Sequence, residues 1–352
     1  MAPPLKIAKP RNRISSMAGY APGEQPLRGE SVVKLNTNEN PYPPSPRVLE
    51  VFANVSPDDL RRYPDPAANA FRDAAAKLYG LERDQIIAGN GSDDILNIAI
   101  RTYLDAGDIL AYPDPTYSLY PVLAGLQDVT VAPVPWEAGW KLPVNALLAT
   151  GARAIFVAHP NAPSGTPVAL EALSDLASRF DGLLLVDEAY AEFAEHSALS
   201  LLSVHKNVLI SRTLSKSYSL AGVRFGYGLS DPSIISEMMK VKDSYNCDAL
   251  SILAATAAIS DQSYAKGAWE KVKAERTRLT AELVARGWDV ISSQANFVLG
   301  RPPSGDGAGL YAQLKARGVL VRFFNLPGLT DKLRITVGTP EQTRALLAAL
   351  DG

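Results

Sequence analysis

The sequence predicts an α/β fold on a mostly parallel sheet, with a second, smaller α+β lobe. Three observations carry that prediction. Short apolar runs, Ala154–Ala158, Gly182–Val186 and Val208–Ile210, are separated by segments of helical patterning, and each run ends in polar residues. After Asp231 the pattern changes to long helical segments followed by short strands. The 352 residues are too many for one small core and favour a large domain with a smaller lobe.

Composition narrows the class. A net charge of −2 gives no reason to expect a nucleic-acid surface, and 47% hydrophobic residues is ordinary for a globular protein. Cys247 is the only cysteine, so no intrachain disulfide is expected and a reducing compartment fits. Met1 to Arg13 is basic and Pro-containing without an apolar core, unlike a secretory signal. No run approaches the roughly 20 apolar residues needed to span a membrane. The expectation is a soluble, cytoplasmic protein. His159, His196 and His205 show no ligand spacing, so no metal site is expected.

Residues 1–33 read as an arm rich in Pro and Gly that lies across the body, with a turn-rich patch at Tyr20–Pro26. Lys34–Pro44 holds three Asn and three Pro and reads as a loop with much side-chain hydrogen bonding. Its backbone amides could meet a carboxylate or only form a turn. Arg62–Pro66 is another turn, where the Tyr63 phenol reaches a phosphate or caps a loop. An amphipathic helix follows, from about Asn69 to Tyr79.

Gln85–Gly89 predicts a strand that runs through Asn90-Gly91-Ser92-Asp93-Asp94 into a helix. The free N–H groups of such a helix start make an anion site, or the segment is only a capped helix. Asp108–Tyr112 predicts a strand, and Tyr117 opens the next helix, where its ring stacks on a flat ligand or packs in the core. The three apolar runs named above then end at Asn161, Asp187 and Lys216, with helical patterning between them, notably Leu170–Phe180. Polar residues therefore collect at one edge of a parallel sheet, where open α/β sheets bind ligands. A carboxylate such as Asp187 at the end of an apolar strand needs a cation or donor as partner. A lysine such as Lys216 in that position either binds phosphate as a point charge or attacks a carbonyl as a desolvated amine.

Helices are predicted at about Ser233–Lys242, Asp248–Ser260 and Ser263–Arg286. Strands near Asn296–Gly300, Val319–Arg322 and Leu333–Val337, with helices near Gly307–Arg317 and from Pro340, complete an α+β lobe. Arg322 and Arg334 sit in apolar β-like runs, where a guanidinium wants an anion or an internal salt bridge.

The motifs form a recognisable set. Thr213-Leu214-Ser215-Lys216-Ser217-Tyr218-Ser219-Leu220-Ala221-Gly222-Val223-Arg224 resembles the lysine signature of the fold-type I aminotransferases that use pyridoxal 5'-phosphate (PLP). Tyr20–Gln25, Leu35–Pro41, Arg62–Asp65, Asp187–Tyr190 and Leu333–Thr339 extend the likeness over nearly the whole chain. Together they resemble the class-II group, and within it the histidinol-phosphate aminotransferases. One segment departs from the usual Pro-Asn-Asn-Pro-Thr-Gly: here it is Pro160-Asn161-Ala162-Pro163-Ser164-Gly165.

The resemblance implies a large PLP-binding domain at 34–242 with a seven-stranded sheet between helices, and a small domain at 243–352 packed with the arm at 1–33. It implies a homodimer with shared active sites and small-molecule substrates. Its expected reaction is transamination of L-histidinol phosphate with 2-oxoglutarate. Lys216 would hold PLP as an imine and carry the proton, and Asp187 would keep the pyridine nitrogen protonated. Tyr190 and Asn161 would bind the ring's O3' and Tyr117 would stack on the ring. Gly91, Ser92, Asp93, Ser215 and Arg224 would hold the phosphate, with Thr213 or Ser211 nearby and Tyr63 reaching the other subunit's cofactor. Arg334 would grip the substrate's anionic group, with Arg322, Tyr20 and Asn36 lining the same pocket. An aromatic or broad-range aminotransferase is the alternative on this frame, and another PLP reaction such as decarboxylation is a further one. A PLP-sensing regulator would need a DNA-binding domain, for which the arm is too short. A dinucleotide-dependent dehydrogenase fails because no Gly-x-Gly-x-x-Gly follows a strand.

Overall fold

The computed structural model describes residues 7–27, 29 and 31–352; residues 1–6, 28 and 30 of the expected arm lie outside the described residues. Seven strands form the main sheet: β1 Ile86–Gly89, β2 Ile109–Asp114, β3 Thr130–Pro135, β4 Ala154–Ala158, β5 Leu183–Asp187, β6 Val208–Thr213 and β7 Gly226–Ser230. Their spatial order is β1-β7-β6-β5-β4-β2-β3. Only β7 runs antiparallel to its neighbours, while β6, β5, β4, β2 and β3 pair in parallel.

The apolar runs of β4, β5 and β6 follow from their place at the centre, where every residue is buried. Leu183 and Leu185 face one helix layer and its core, while Leu184 and Val186 face the other. The first layer includes the helices Ser92–Tyr103, Leu119–Leu126 and Pro232–Val241. Register brings Ala158 opposite Asp187 and Asp187 opposite Ser211, so the carboxyl ends of the three central strands lie level. That alignment is what gathers distant polar residues at one edge.

The smaller lobe has four antiparallel strands: β8 Asp289–Ile291, β9 Phe297–Arg301, β10 Arg322–Phe323 and β11 Leu333–Thr336, in the order β10-β11-β9-β8. The single strand expected at Val319–Arg322 is in fact two pairings. Val319–Leu320 pairs in parallel with Val33–Lys34, and the chain then changes partner at Val321 so that Arg322 enters the antiparallel sheet. No strand was expected from the sequence at β3; it carries Pro133 and Pro135 and lies at the sheet edge, where proline is tolerated. Tyr117 does not open a helix: the helix starts at Leu119 and Tyr117 lies in the turn before it.

The helix Ala249–Ser260 packs on Pro46–Ala53 and Asn69–Tyr79. A divide at residue 242 would part that helix from its partners, and we propose that the divide falls instead near the start of the long helix Gln262–Ala285. The described part of the arm joins both lobes. Its short helix Asn12–Ser16 packs on Leu119–Leu126, Arg11 pairs with Asp128 at 2.8 Å, and Glu24 pairs with Lys315 at 2.8 Å. Among the described residues, no helix is long and apolar enough to cross a membrane.

Candidate active site

A cavity of about 250 Å³ opens at the carboxyl edge of the main sheet, between the two lobes and beneath the arm. At one end it meets the start of the helix Ser92–Tyr103. Gly91 is the N-cap residue with φ of +87°, and no side chain caps the helix. The uncapped N–H groups are available to an anion. β7 begins directly against this turn: a Cβ on Gly226 would lie 2.3 Å from Ser92 N, so glycine is required for the approach. Arg224 completes the end, donating to Ser215 Oγ at 3.3 Å and lying 3.6 Å from Asp93. Asp93 in turn accepts from the Tyr117 phenol at 3.2 Å. Thr213 caps the short helix Leu214–Ser217 by accepting from Ser215 N.

Lys216 projects from that short helix, and its Nζ donates to the Thr37 carbonyl at 3.0 Å. Burial, reinforced by the nearby Arg334 charge, pulls its pKa down to about 8 against the opposing pull of Glu39 and Asp93. The side chain is therefore an amine that gives up its proton near physiological pH, the property a nucleophile or base needs.

Asp187 closes the floor. It is buried, and its Oδ2 accepts from the Tyr120 phenol at 2.8 Å. Its Oδ1 is buried, with no hydrogen-bond partner among the described residues. Burial pushes the carboxyl up to about 6, with the Tyr120 bond opposing. An unpaired, buried carboxylate oxygen at a cavity is an acceptor waiting for a donor. Tyr190 stands beside it, its phenol accepting from Asn38 Nδ2 at 2.9 Å.

The far wall carries two guanidiniums. Arg322 and Arg334 are direct cross-strand partners in β10 and β11. Like charges so placed oppose each other. Among the described residues neither forms an ion pair with a carboxylate. Arg334 donates to the Asn36 carbonyl at 3.1 Å, lies over the rings of Phe297 and Phe324 at 5.1 and 5.2 Å, and leaves its Nε buried and unpartnered. Arg322 donates to the carbonyls of Ala21 and Pro22 in the arm at 3.3 and 3.4 Å. Of the two sequence readings for these arginines, the internal salt bridge is absent among the described residues, and the free positive charge suits a bound anion.

The cavity lining brings together Tyr20, Asn36, Ser92, Asp93, Tyr117, Asp187, Tyr190, Thr213, Ser215, Lys216, Arg224, Arg322 and Arg334. Gly91 lies directly behind it, against the Arg224 guanidinium. Three expected residues are not brought to it. Asn161 is fully buried and satisfied: its amide donates to Pro115 O and Ser164 Oγ at 3.2 and 2.9 Å, and its carbonyl accepts from Thr116. Its neighbours Pro160 and Ala162 line the cavity instead. Tyr63 is 80% exposed and its ring stacks on Tyr245 at 4.4 Å, outside the cavity. Ser211 is buried in β6 away from the lining. Residues that sequence reading did not single out include Thr37, Asn38, Tyr120 and Phe324. Of these only Tyr120 had a signal: a tyrosine in an apolar helix must find a partner for its hydroxyl once buried.

This arrangement of an anion cradle, a desolvated lysine, an unpaired buried carboxylate and two free guanidiniums has counterparts among known proteins. The chain is 48% identical to histidinol-phosphate aminotransferase 1 of Trichormus variabilis, over 97% of each chain. It is 44% identical to histidinol-phosphate aminotransferase of Syntrophotalea carbinolica, over 97% of this chain and 98% of that one. In fold it resembles histidinol-phosphate aminotransferase from Sinorhizobium meliloti, solved in complex with pyridoxal-5'-phosphate, with a TM-score of 0.89 and 26% identity over 98% of this chain and 97% of that one. The sequence model for aminotransferase class I and II matches residues 30–350. The chain belongs to the class I and II aminotransferase family.

Proposed function

We propose that this protein transfers the amino group of L-histidinol phosphate to 2-oxoglutarate, giving imidazole acetol phosphate and L-glutamate, with PLP as cofactor. The observation that carries the reading is the pair Arg322 and Arg334, two unpaired guanidiniums facing the same cavity as a lysine of lowered pKa. Each half-reaction brings one anionic substrate, a phosphate ester or a dicarboxylate. A guanidinium fork matches both without rearrangement.

The residues fit PLP. Asp187 Oδ1 is the unpartnered acceptor that a protonated ring nitrogen needs, and the cradle at Gly91, Ser92, Ser215 and Arg224 suits its phosphate. When bound, PLP supplies a carbonyl carbon that takes up nitrogen and a ring that accepts the electrons left at the substrate Cα. Lys216 would anchor the cofactor through its Nζ and, once released, would carry a proton between the substrate Cα and the cofactor's carbonyl carbon, in opposite directions in the two half-reactions. Asp187 would hold the ring nitrogen charged, Tyr117 would stack on the ring, and Tyr190 would bind its phenolic oxygen. Asn161 acts through the 160–163 turn that it pins. Tyr20 and Asn36 close the substrate end. The place of such a reaction is amino-acid biosynthesis in a reducing cytoplasm, where the buried Cys247 thiol stays free.

Two copies of the chain form the working unit in this reading. Tyr63 is exposed beside Tyr245, and Leu60 and Leu250 are exposed on helices that pack together, which makes an apolar face suited to a second copy. Tyr63 would serve the partner's site. Sedimentation as a monomer at micromolar concentration would contradict this.

Two tests arise here. Arg334→Ala should raise KM about 10- to 100-fold for both L-histidinol phosphate and 2-oxoglutarate, because each loses a charge-assisted hydrogen bond. A rise for one substrate alone would refute the shared anion site. The rate at which apoprotein captures PLP should rise about tenfold per pH unit below pH 8 and level off above it, since the neutral amine of Lys216 is the form that attacks. A midpoint near the ordinary lysine value of about 10.4 would contradict the desolvated amine. The reaction itself is tested by initial rates with both substrates varied: parallel double-reciprocal lines and glutamate release are expected.

A further inference from the structure

Tyr120 takes no part in the chemistry described so far and does not line the cavity. It is fully buried in the second position of the helix Leu119–Leu126, yet its hydroxyl has one aim: Asp187 Oδ2 at 2.8 Å. Three rings fix its orientation by edge contacts, Tyr112 at 6.0 Å, Tyr117 at 5.7 Å and Phe156 at 5.4 Å between centroids. The ring therefore has little freedom to swing its hydroxyl away.

We propose that Tyr120 is a positioning residue that ties down one oxygen of Asp187, so that the other remains an ionised, fixed acceptor for the ring nitrogen of the cofactor. This rests on the PLP reading above. The division of labour is visible in the carboxylate itself: Oδ2 is bonded and Oδ1 is buried and free.

Energetics support the geometry. A carboxylate this deeply buried tends to take up a proton, and the negative charges of Asp93 and Glu188 push the same way. The Ala189 amide and the Tyr120 hydroxyl act against that, and Tyr120 is the stronger of the two. Tyr117 and Tyr190 also face Asp187, each with a phenol pushed up mainly by burial. Tyr120 itself is pushed well above the ordinary phenol range by burial and by Asp187, so it stays protonated and remains a donor throughout the working pH range. Without it the Asp187 carboxyl would be pushed up further by burial, and its attraction for a charged ring nitrogen would weaken.

The test uses apoprotein and two probes, PLP and its 1-deaza analogue, in which the ring nitrogen is replaced by C–H. Wild type should bind PLP more tightly than the analogue. Tyr120→Phe should weaken PLP binding about tenfold at pH 7, leave the analogue within about twofold, and recover much of the PLP affinity at pH 8.5. In the loaded enzyme kcat should fall about tenfold with KM within about twofold. Equal weakening of both probes, or none, would overturn the proposal, because a packing role would not distinguish them. Should the Phe variant fail to fold, 3-fluorotyrosine at position 120, a stronger donor, decides the matter: the preference for PLP should increase, and an unchanged or smaller preference refutes the role. If wild type itself does not discriminate between the probes, the Asp187 assignment fails first and the Tyr120 proposal falls with it.

Discussion

Lys216→Ala is expected to lower kcat/KM by about 10⁴-fold or more and to remove the visible absorbance of the PLP-loaded protein. Both effects have one cause. Among the described residues Lys216 is the only lysine lining the cavity, and its Nζ is the desolvated amine there. Truncation removes the covalent anchor and the proton carrier together, and no neighbour replaces either. Thr37 offers only its carbonyl at that point. PLP should still bind through the cradle at Gly91–Asp93 and Arg224, but reversibly, so dialysis would strip it from the variant faster than from wild type. An added small primary amine should restore part of the rate, since the missing group is an amine in a preformed space. A variant within tenfold of wild type would mean that another residue carries the proton.

Asp187→Asn is expected to lower kcat by about 10²- to 10³-fold with little change in KM. The amide has nearly the same shape, so the packing around Tyr120 and Phe156 survives. What is lost is the negative charge opposite the ring nitrogen, and with it the reason for that nitrogen to stay protonated. Proton removal from the donor's Cα should then become slower than all other steps. Substrate deuterated at Cα would report this as a larger isotope effect in the variant than in wild type. An Asn variant with near wild-type kcat and an unchanged isotope effect would assign the ring nitrogen to a different partner.

The sequence was legible where structure is local or buried on both faces. The helices at Asn69–Tyr79, Leu170–Arg179 and Ala249–Ser260 lie within a residue of their expected bounds. β4 to β6 were readable because central parallel strands need apolar residues at every position. The gathering of Asp187 and Lys216 at one edge followed from that pattern, since both come after such runs. Contacts set by long-range register had no such signature. Tyr120 meets Asp187 across 67 residues and Lys216 meets Thr37 across 179. The pairing of Arg322 with Arg334 required knowing that the chain changes partner at Val321. The satisfied state of Asn161 depends on Thr116 and Pro115 from a different strand end. Tyr63 shows the same limit from outside: its turn was readable, but its exposed stack on Tyr245 was not.

Substrate preference is read from half-reactions with one amino donor at a time. PLP-loaded protein is mixed in separate stopped-flow experiments with L-histidinol phosphate, L-glutamate, L-phenylalanine and L-tyrosine, with no acceptor present, and the loss of visible absorbance is followed. Fast conversion by L-histidinol phosphate and glutamate, with the aromatic amino acids slower by at least about tenfold, is the predicted result. Faster conversion by phenylalanine or tyrosine than by L-histidinol phosphate would contradict it and make the protein an aromatic aminotransferase.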